Sequence, residues 1–264
     1  MSLFPSLFIS HGMPVMALLE SPTHHFLKNL GKKLGRPKAI VCISAHWETV
    51  APMVSGADFP NTVHDFYGFP RQLYEINYCA PGDPSLASEI IETFSQNGIS
   101  SKIDNEKGFD HGAWVPLYLM YPEADIPVIQ LSIQGDLDTA HHFSMGQALA
   151  RFRKEGVLIM GSGGATHNLE DIHGRKMRDE PVQYAIDFDA WLEKNILSGD
   201  VSSLLNYKKH GPDAEKNHPY PSEHFLPLFV PMGAAGPGFK AELLHREFIY
   251  GILSLAAYMW NDTE

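Results

Sequence analysis

Two short apolar runs near the start of the chain constrain its fold most strongly. Residues 6–10 and 39–44 are both rich in aliphatic residues, and each ends in a serine that a histidine follows within two positions, His11 and His46. Short, bounded runs of this kind are typical of buried strands. In open α/β sheets, ligands bind just beyond the carboxyl ends of the strands. We therefore expect His11 and His46 to converge, and we interpret their meeting point as a metal site.

Strands and helices alternate along the first two thirds of the chain. Further strands are predicted at 53–55, 126–133 and 157–160, with helices at 22–34, 83–97, 139–154, 184–197 and 225–232. This alternation predicts an α/β fold, a mixed and mostly parallel central sheet flanked by helices, with the active site at the C-terminal ends of the strands. An edge strand is expected at 74–78, a polar loop at 206–220, and strand-like segments that add antiparallel edges at 248–250 and 253–259. No linker or change of composition divides the chain, so a single domain over residues 1–264 is predicted.

Charge and cysteine content exclude several classes of protein. The net charge is −11 and no cluster of Lys and Arg occurs, so no nucleic-acid partner is expected. The longest apolar stretch, 250–260, is too short to cross a bilayer, so no membrane association is expected. Cys42 and Cys79 form no CxxC pair, and Cys42 lies in an apolar run, where a free thiol is expected. These features favour a reducing compartment and predict a cytoplasmic protein.

Histidine is the unusual residue, with 14 copies in 264 residues. Besides His11 and His46, His167 lies beyond the strand at 157–160, and His224 begins the apolar helix at 225–232. Histidine is the commonest neutral metal ligand. The remaining histidines of helices and polar loops are interpreted as surface residues: His24, His25, His141, His142, His173, His210 and His245. The glycine-rich residues 161–164 match neither a P-loop nor a nucleophile elbow.

A series of short motifs, in order along almost the whole chain, resembles the class III extradiol ring-cleavage dioxygenases, and within them the DOPA 4,5-dioxygenase-like branch. The individual patterns are short, but together they are highly specific. The motifs are His11-Gly12-Met13-Pro14, Ser44-Ala45-His46-Trp47, residues 62–70 (TVHDFYGFP), residues 108–114 (GFDHGAW), Gln130-Leu131-Ser132-Ile133, His167-Asn168-Leu169 and residues 223–228 (EHFLPL).

The resemblance implies one divalent metal ion, Zn2+ or Fe2+, held by His11, His46 and His224. It implies that His167 lies beside the ion, as the acid–base residue or as a fourth ligand. His111 is implied as a further catalytic residue that lines the substrate pocket. The pocket is expected to include four more side chains, which are His64, Phe66, Tyr67 and Trp114.

The implied reaction opens the ring of a small aromatic diol with O2. A catechol such as DOPA would undergo 4,5-cleavage to a muconic semialdehyde, and His167 would take a hydroxyl proton. Two alternatives stay open. Three neutral histidines are also typical of a zinc hydrolase, and a catalytically inactive relative would bind only metal or a small molecule. The sequence leaves the natural catechol and the oligomeric state undetermined.

Overall fold

A computed structural model describes residues 3–262, and its main feature is an eight-stranded sheet with the order β4-β3-β5-β2-β6-β1-β10-β7. A separate two-stranded sheet joins β8 and β9. The strands are β1 (Ser6–Ser10), β2 (Ala39–Glu48), β3 (Met53–Ser55), β4 (Lys102–Asp104), β5 (Val128–Ile133), β6 (Val157–Gly163), β7 (Phe239–His245), β8 (Phe248–Ile249), β9 (Leu253–Ser254) and β10 (Ala257–Asp262).

Helices lie between the strands, and proline and aspartate mark several of their first turns. Ser21 accepts a hydrogen bond from the backbone of His24, and Asp83 accepts one from Leu86. The helices are α1 (Pro22–Leu34), α2 (Pro84–Gln96), α3 (His111–Met120), α4 (Thr139–Lys154), α5 (Gln183–Ser198), α6 (Val201–Leu205), α7 (Tyr207–His210), α8 (Ala214–Asn217) and α9 (Phe229–Ala234), with short 3-10 turns at Pro14–Ala17, Arg71–Glu75, Glu170–Ile172 and Leu226–Leu228.

The four central strands β5, β2, β6 and β1 are mutually parallel, and antiparallel strands complete both edges. The predicted α/β architecture, with antiparallel strands added by the last third of the chain, is therefore confirmed. In the register of the sheet, Ser162 of β6 pairs with Ile9 of β1 on one side and with Ser44 of β2 on the other. This alignment brings two histidines to the same edge of the sheet. His11 directly follows β1, and His46 lies near the end of β2.

Side chains of the central strands alternate between two apolar layers. In β2, Ile40 and Cys42 pack with α1 and α3, while Val41 and Ile43 pack with α2, α4 and α9. All four are fully buried. Burial of each isoleucine or valine side chain contributes about 1.5–3 kcal/mol. The strand that carries His46 is consequently held by fully buried side chains on both of its faces.

Backbone packing places His224 at the same edge. A Cβ atom on Gly163 would clash with the carbonyl oxygen of His224, and one on Gly161 would clash with that of Pro227. The amide of Gly164 donates to the carbonyl of His224 over 2.8 Å. Glycine at the end of β6 is therefore what allows the segment before α9 to lie directly on the strand.

Several predicted elements are wrong. The edge strand expected at 74–78 is absent, because Pro70 begins a 3-10 turn that buries Leu73. The expected loop at 206–220 contains α7 and α8, and the helix expected at 225–232 becomes an α-helix only at Phe229, after a 3-10 turn. Strand β7 was not predicted. No helix within residues 3–262 combines the length and apolar character that a bilayer-spanning segment requires.

Two histidines that were predicted to lie on the surface are buried. His142 is fully buried, and its Nδ1 donates to the carbonyl of Asp138 while its Nε2 accepts from the amide of Gln134. His24 is 7% exposed and donates to the carbonyl of Met16. Both rings find partners in neighbouring backbone, so their burial carries no unsatisfied polar atom.

Candidate active site

Three of the predicted histidines form a nearly equilateral cluster at the edge of the sheet. Ring centroids are 5.0 Å apart for His11 and His46, 5.3 Å for His11 and His224, and 4.9 Å for His46 and His224. Imidazoles that bind one ion at about 2.0–2.1 Å have centroids roughly 4.5–5 Å apart, depending on the coordination angle. The spacing of the cluster is close to that of ligands of a single metal ion.

Local strand geometry explains why His46 points to this cluster. The pairing of β2 with β5 is interrupted between Ile43 and Glu48, and His46 lies in the interruption. Such irregularities re-aim side chains near active sites. His11 follows β1 directly, and its backbone amide donates to the carbonyl of Gly163 over 3.1 Å.

In His11 and His224, a hydrogen bond on the outer side of the ring leaves the inner nitrogen unprotonated. The Ser162 hydroxyl donates to the carbonyl of Gly112, so it accepts from His11 Nδ1 at 2.9 Å. His11 Nε2 then carries no proton, and its lone pair is available to a metal ion. This atom lies 3.1 Å from His46 Nε2. His224 Nδ1 donates to the Glu223 carboxylate at 2.8 Å, which leaves its Nε2 free. Outer partners that fix the tautomer in this way are typical of metal-binding histidines.

His111 lies beside this cluster and is held by a carboxylate. Asp65 Oδ1 accepts from the backbone amide of His111 at 3.0 Å and from its Nδ1 at 2.9 Å. The second oxygen of Asp65 lies 3.8 Å from His46 Nδ1. Ligand atoms of His11, His46 and His111 all lie within 4.8 Å of one another, so this trio is a second metal-binding combination.

His167 stacks on His224 with ring centroids 3.6 Å apart and planes only 7° from parallel. Its backbone amide donates to the carbonyl of Asn217, which fixes the loop after β6. Ligand atoms of His167, Glu223 and His224 also lie within 4.8 Å of one another. Glu223 Oε1 accepts the hydrogen bond from His224 and so orients that ring, while Glu223 Oε2 is buried without a hydrogen-bond partner among the described residues.

Burial keeps these imidazoles neutral. Burial, and after it the positive charge that a neighbouring histidine would carry, lower the pKa of His46 and of His167 to about 4. The same two causes, in the same order, lower the pKa of His11 and His224. For Asp65, burial opposes ionisation, but the hydrogen bonds from His111 outweigh it and bring the pKa to about 2. The site therefore combines the neutral nitrogen donors of His11, His46, His167 and His224 with two neighbouring carboxyl groups, those of Asp65 and Glu223.

A cavity of about 360 Å³ opens onto the histidines. His11, His46, His111, His167 and His224 all line it, together with a largely apolar set of residues, which are Met13, Pro14, Phe66, Phe69, Leu169, Ile172, Leu253 and Leu255. Small-molecule sites have volumes of about 300–1,000 Å³ and mostly apolar walls with few polar groups. The cavity is therefore suited to a small, flat molecule whose polar atoms face the histidines.

The residues predicted to line the pocket separate into two groups. Phe66 lines the cavity, but three others lie outside it. His64 bonds to the carbonyl of Ile76, and Trp114 is fully buried with its Nε1 donating to a backbone carbonyl. Tyr67 is 91% exposed, because it alternates with Phe66 along the loop and points the opposite way.

Sequence reasoning missed Asp65, Ser162 and Asp110, which orient the histidines or the elements that carry them. Asp110 is 1% exposed and accepts hydrogen bonds from Ser44, Gln130 and Lys107. The only sequence signal for Asp110 was its position directly before an apolar helix, which favours an N-cap. Nothing local predicts the other two roles, since their partners lie 46 or more residues away.

Comparison with known protein families shows which family the chain belongs to. The family model described as the catalytic LigB subunit of aromatic ring-opening dioxygenase matches residues 5–259. The chain belongs to this family. Enzymes of this family are metal-dependent, and the predictions of family, fold and enzyme class are confirmed. The histidine cluster and its cavity are accordingly the candidate active site of an aromatic ring-opening dioxygenase.

Several relatives resemble the dioxygenase over most of its length. It is 47% identical over 260 residues to a Beta vulgaris protein named 4,5-DOPA dioxygenase extradiol, covering 97% of this chain and 96% of that one. A protein of the same name from Escherichia coli is 41% identical and covers 87% of this chain and 84% of its own. The crystal structure of uncharacterized protein JW3007 from Escherichia coli K12 superimposes with a TM-score of 0.82 at 34% identity, covering 98% of this chain and 100% of that one.

Proposed function

We propose that the enzyme is an extradiol dioxygenase that opens a catechol such as DOPA with O2, by 4,5-cleavage to a muconic semialdehyde. The observation that carries the proposal is the convergence of unprotonated imidazole nitrogens at one end of an apolar cavity. The names of the relatives support DOPA as the first substrate to test. The whole chain, residues 1–264, is proposed to act as one catalytic domain.

The proposed metal ligands are His11, His46 and His224. The centroids of His46 and His111 are only 3.9 Å apart, which is closer than the roughly 4.5–5 Å expected for two imidazoles on one ion. We therefore assign His111 to the substrate side. Neutral imidazoles bind both Fe2+ and Zn2+, and we propose Fe2+ because ring opening with O2 requires a redox-active ion. When bound, the ion would lower the pKa of a catechol hydroxyl and mediate electron transfer from the catechol to O2.

The remaining histidines are proposed to handle the protons of the substrate. His167 is neutral and half-buried at the cavity, so it can accept a hydroxyl proton, and an anionic catecholate beside it would favour the protonated ring. His111 keeps its Nδ1 proton on Asp65 and presents Nε2 to the cavity as an acceptor. Phe66 and Phe69 are proposed to contact the ring of the catechol.

The proposal is tested with protein purified without oxygen and reloaded with Fe2+ or with Zn2+. DOPA and simple catechols are added, and oxygen uptake is followed together with the yellow product. We expect oxygen uptake with iron only. Hydrolysis of model esters by the zinc form, without oxygen uptake, would instead support a hydrolase. If neither activity is seen, the protein is a catalytically inactive relative that binds only metal or a small molecule.

Two substitutions separate ligands from the proton acceptor. His167→Gln should abolish turnover and keep at least most of the metal, whereas His224→Ala should lose the metal itself. His173→Ala, an exposed histidine outside the cavity, is the matched control and should change neither. If His167→Gln also loses its metal, His167 is a fourth ligand.

We further propose that the enzyme acts in the cytoplasm. Cys42 and Cys79 are both free thiols, and Cys79 is exposed. An exposed free thiol suits a reducing compartment. The partners proposed are a small aromatic diol and O2.

A further inference from the structure

We propose that His218 is a positioning residue for His167, the proposed proton acceptor, and that it acts by holding the loop that carries His167 beside the cavity. The inference rests on the proposed ring-cleavage function, because a reaction that uses His167 depends on the exact position of its ring. His218 itself does not line the cavity, so any effect on the reaction passes through the loop.

The loop after β6 runs alongside residues 216–218, at the end of α8. The amide of His167 donates to the carbonyl of Asn217 over 2.9 Å. Asn168 Nδ2 donates to the carbonyl of Lys216 over 2.8 Å. These two bonds attach His167 and the residue that follows it to the segment 216–218.

His218 supplies a third bond, on the other side of His167. Its Nε2 donates to the carbonyl of Ala165 over 2.9 Å. Burial lowers the pKa of His218 to about 3, so the ring is neutral, and its single N–H proton lies on the nitrogen that faces this carbonyl. Ala165 is fully buried, so water cannot replace the bond. The loop is therefore attached to the segment 216–218 both before and after His167.

An aromatic pocket fixes the ring of His218. Its centroid lies 4.3 Å from that of Phe225, 5.3 Å from that of Phe188 and 6.2 Å from that of Tyr207. All three neighbours are buried. The side chain of Asn217 is also buried, and its Nδ2 donates to a backbone carbonyl of α5 over 3.2 Å. The partners of the loop thus belong to the packed core, which defines their positions closely.

The ring of His167 has a narrowly defined position. It stacks on His224, a proposed metal ligand, with centroids 3.6 Å apart. A base must lie within about 2.6–3.2 Å of the atom whose proton it accepts, and a displacement of about 1 Å can reduce a rate about 100-fold. Loss of the bond from His218 would leave the carbonyl of Ala165 buried without a partner, which favours a rearranged loop.

The test compares two substitutions of His218 in the iron-loaded full chain, with DOPA as substrate. His218→Phe keeps an aromatic ring in the pocket but has no N–H donor, whereas the side-chain amide of His218→Gln can donate to the same carbonyl. His218→Phe should lower kcat at least about tenfold and leave KM and iron content within about threefold, because the proposed metal ligands do not move. His218→Gln should restore kcat to within about threefold of the wild type.

The matched control is Phe188→Leu. It disturbs the same aromatic pocket but removes no hydrogen bond to the loop, so it should lower stability and keep the kcat of the wild type. A merely structural role of His218 predicts instead that His218→Phe and Phe188→Leu behave alike.

Amide hydrogen exchange in the zinc-loaded protein measures the loop without turnover. Relative to the amides of β6, the amide of His167 should exchange at least about tenfold faster in His218→Phe than in the wild type, the effect of about one hydrogen bond. Asn168→Ala, which removes the bond to Lys216, should accelerate the same amide and provides a second test if His218→Phe folds poorly.

Unchanged kcat or unchanged exchange in His218→Phe would overturn the inference. Equal losses of kcat in His218→Phe and Phe188→Leu, or a loss that His218→Gln does not reduce, would overturn it as well. If the wild-type protein cleaves no catechol, the proposed function fails, and the exchange rates alone then decide whether His218 holds His167 in place.

Discussion

Replacement of Asp110 by alanine should destabilise the protein far more than loss of an ordinary acidic residue. Asp110 receives hydrogen bonds from Ser44 Oγ at 2.5 Å, Gln130 Nε2 at 2.7 Å and Lys107 Nζ at 2.8 Å, and it also caps α3 through the amide of Ala113. It thereby joins β2 and β5 to the helix that begins with the next residue. The side chain of Lys107 is itself only 14% exposed.

The magnitude follows from the charge that would be left behind. Removal of one partner from a buried ion pair costs about 3–5 kcal/mol, since the other charge stays buried. We therefore expect Asp110→Ala to lower the free energy of unfolding by that amount. Asp110→Asn, which keeps the size of the side chain and some hydrogen bonds, should cost about 1–3 kcal/mol.

Urea unfolding followed by tryptophan fluorescence measures this difference. The control is Asp125→Ala, which breaks the exposed ion pair with Arg36 and should cost about 0–1 kcal/mol. Because Asp110 holds Ser44, whose hydroxyl accepts from the backbone amide of the proposed ligand His46, Asp110→Asn should also weaken metal binding by about 10–100-fold. A loss of stability for Asp110→Ala no larger than for Asp125→Ala would refute the reasoning.

Acid titration gives an independent check on Asp110. Burial opposes its ionisation, but the charge of Lys107 and the hydrogen bonds outweigh it and lower the pKa of the carboxyl group. The stabilisation is therefore complete above the unfolded value of about 3.9 and is lost as the pH falls through the folded pKa. In Asp110→Asn this part of the acid destabilisation should be missing.

Three further substitutions test other parts of the structure. Burial lowers the pKa of His142 to about 4. The free energy of unfolding should therefore fall by roughly 3 kcal/mol as the pH falls from about 6.5 to 4. In urea titrations at several pH values, His142→Gln should show a weaker dependence of this free energy on pH. Arg153 donates to backbone carbonyls that include those of Phe4 and Ala235. Arg153→Met should therefore lower the free energy of unfolding, measured in urea, by about 3 kcal/mol or more. The loss should be well above that for Arg151→Met, on the exposed face of α4. Gly163→Ala should displace the backbone of His224 and weaken metal binding at least tenfold in a chelator titration, while circular dichroism stays native.

Much of the fold was readable in the sequence because local signals and burial agree there. The central strands are apolar runs bounded by turn residues, and α1, α2, α4 and α5 have caps or clear boundaries, so their predicted positions hold. Helix α3 gave no periodic signal, since almost all of its residues are buried and it contains Pro116, a residue that ordinarily argues against a helix. Strand β7 alternates between half-buried and exposed residues and depends on pairing with β10, a partner at the end of the chain.

The sequence by itself determined which histidines follow strand ends and which family pattern they match. Only the tertiary structure decided how they meet, because the contacts join residues that are far apart in the chain. Asp65 reaches His111, Ser162 reaches His11, and the glycines of β6 admit the segment of His224. Tyr67 lies outside the cavity because its neighbour Phe66 packs into it. The direction of a loop side chain depends on such tertiary packing, which the periodicity of a sequence does not show.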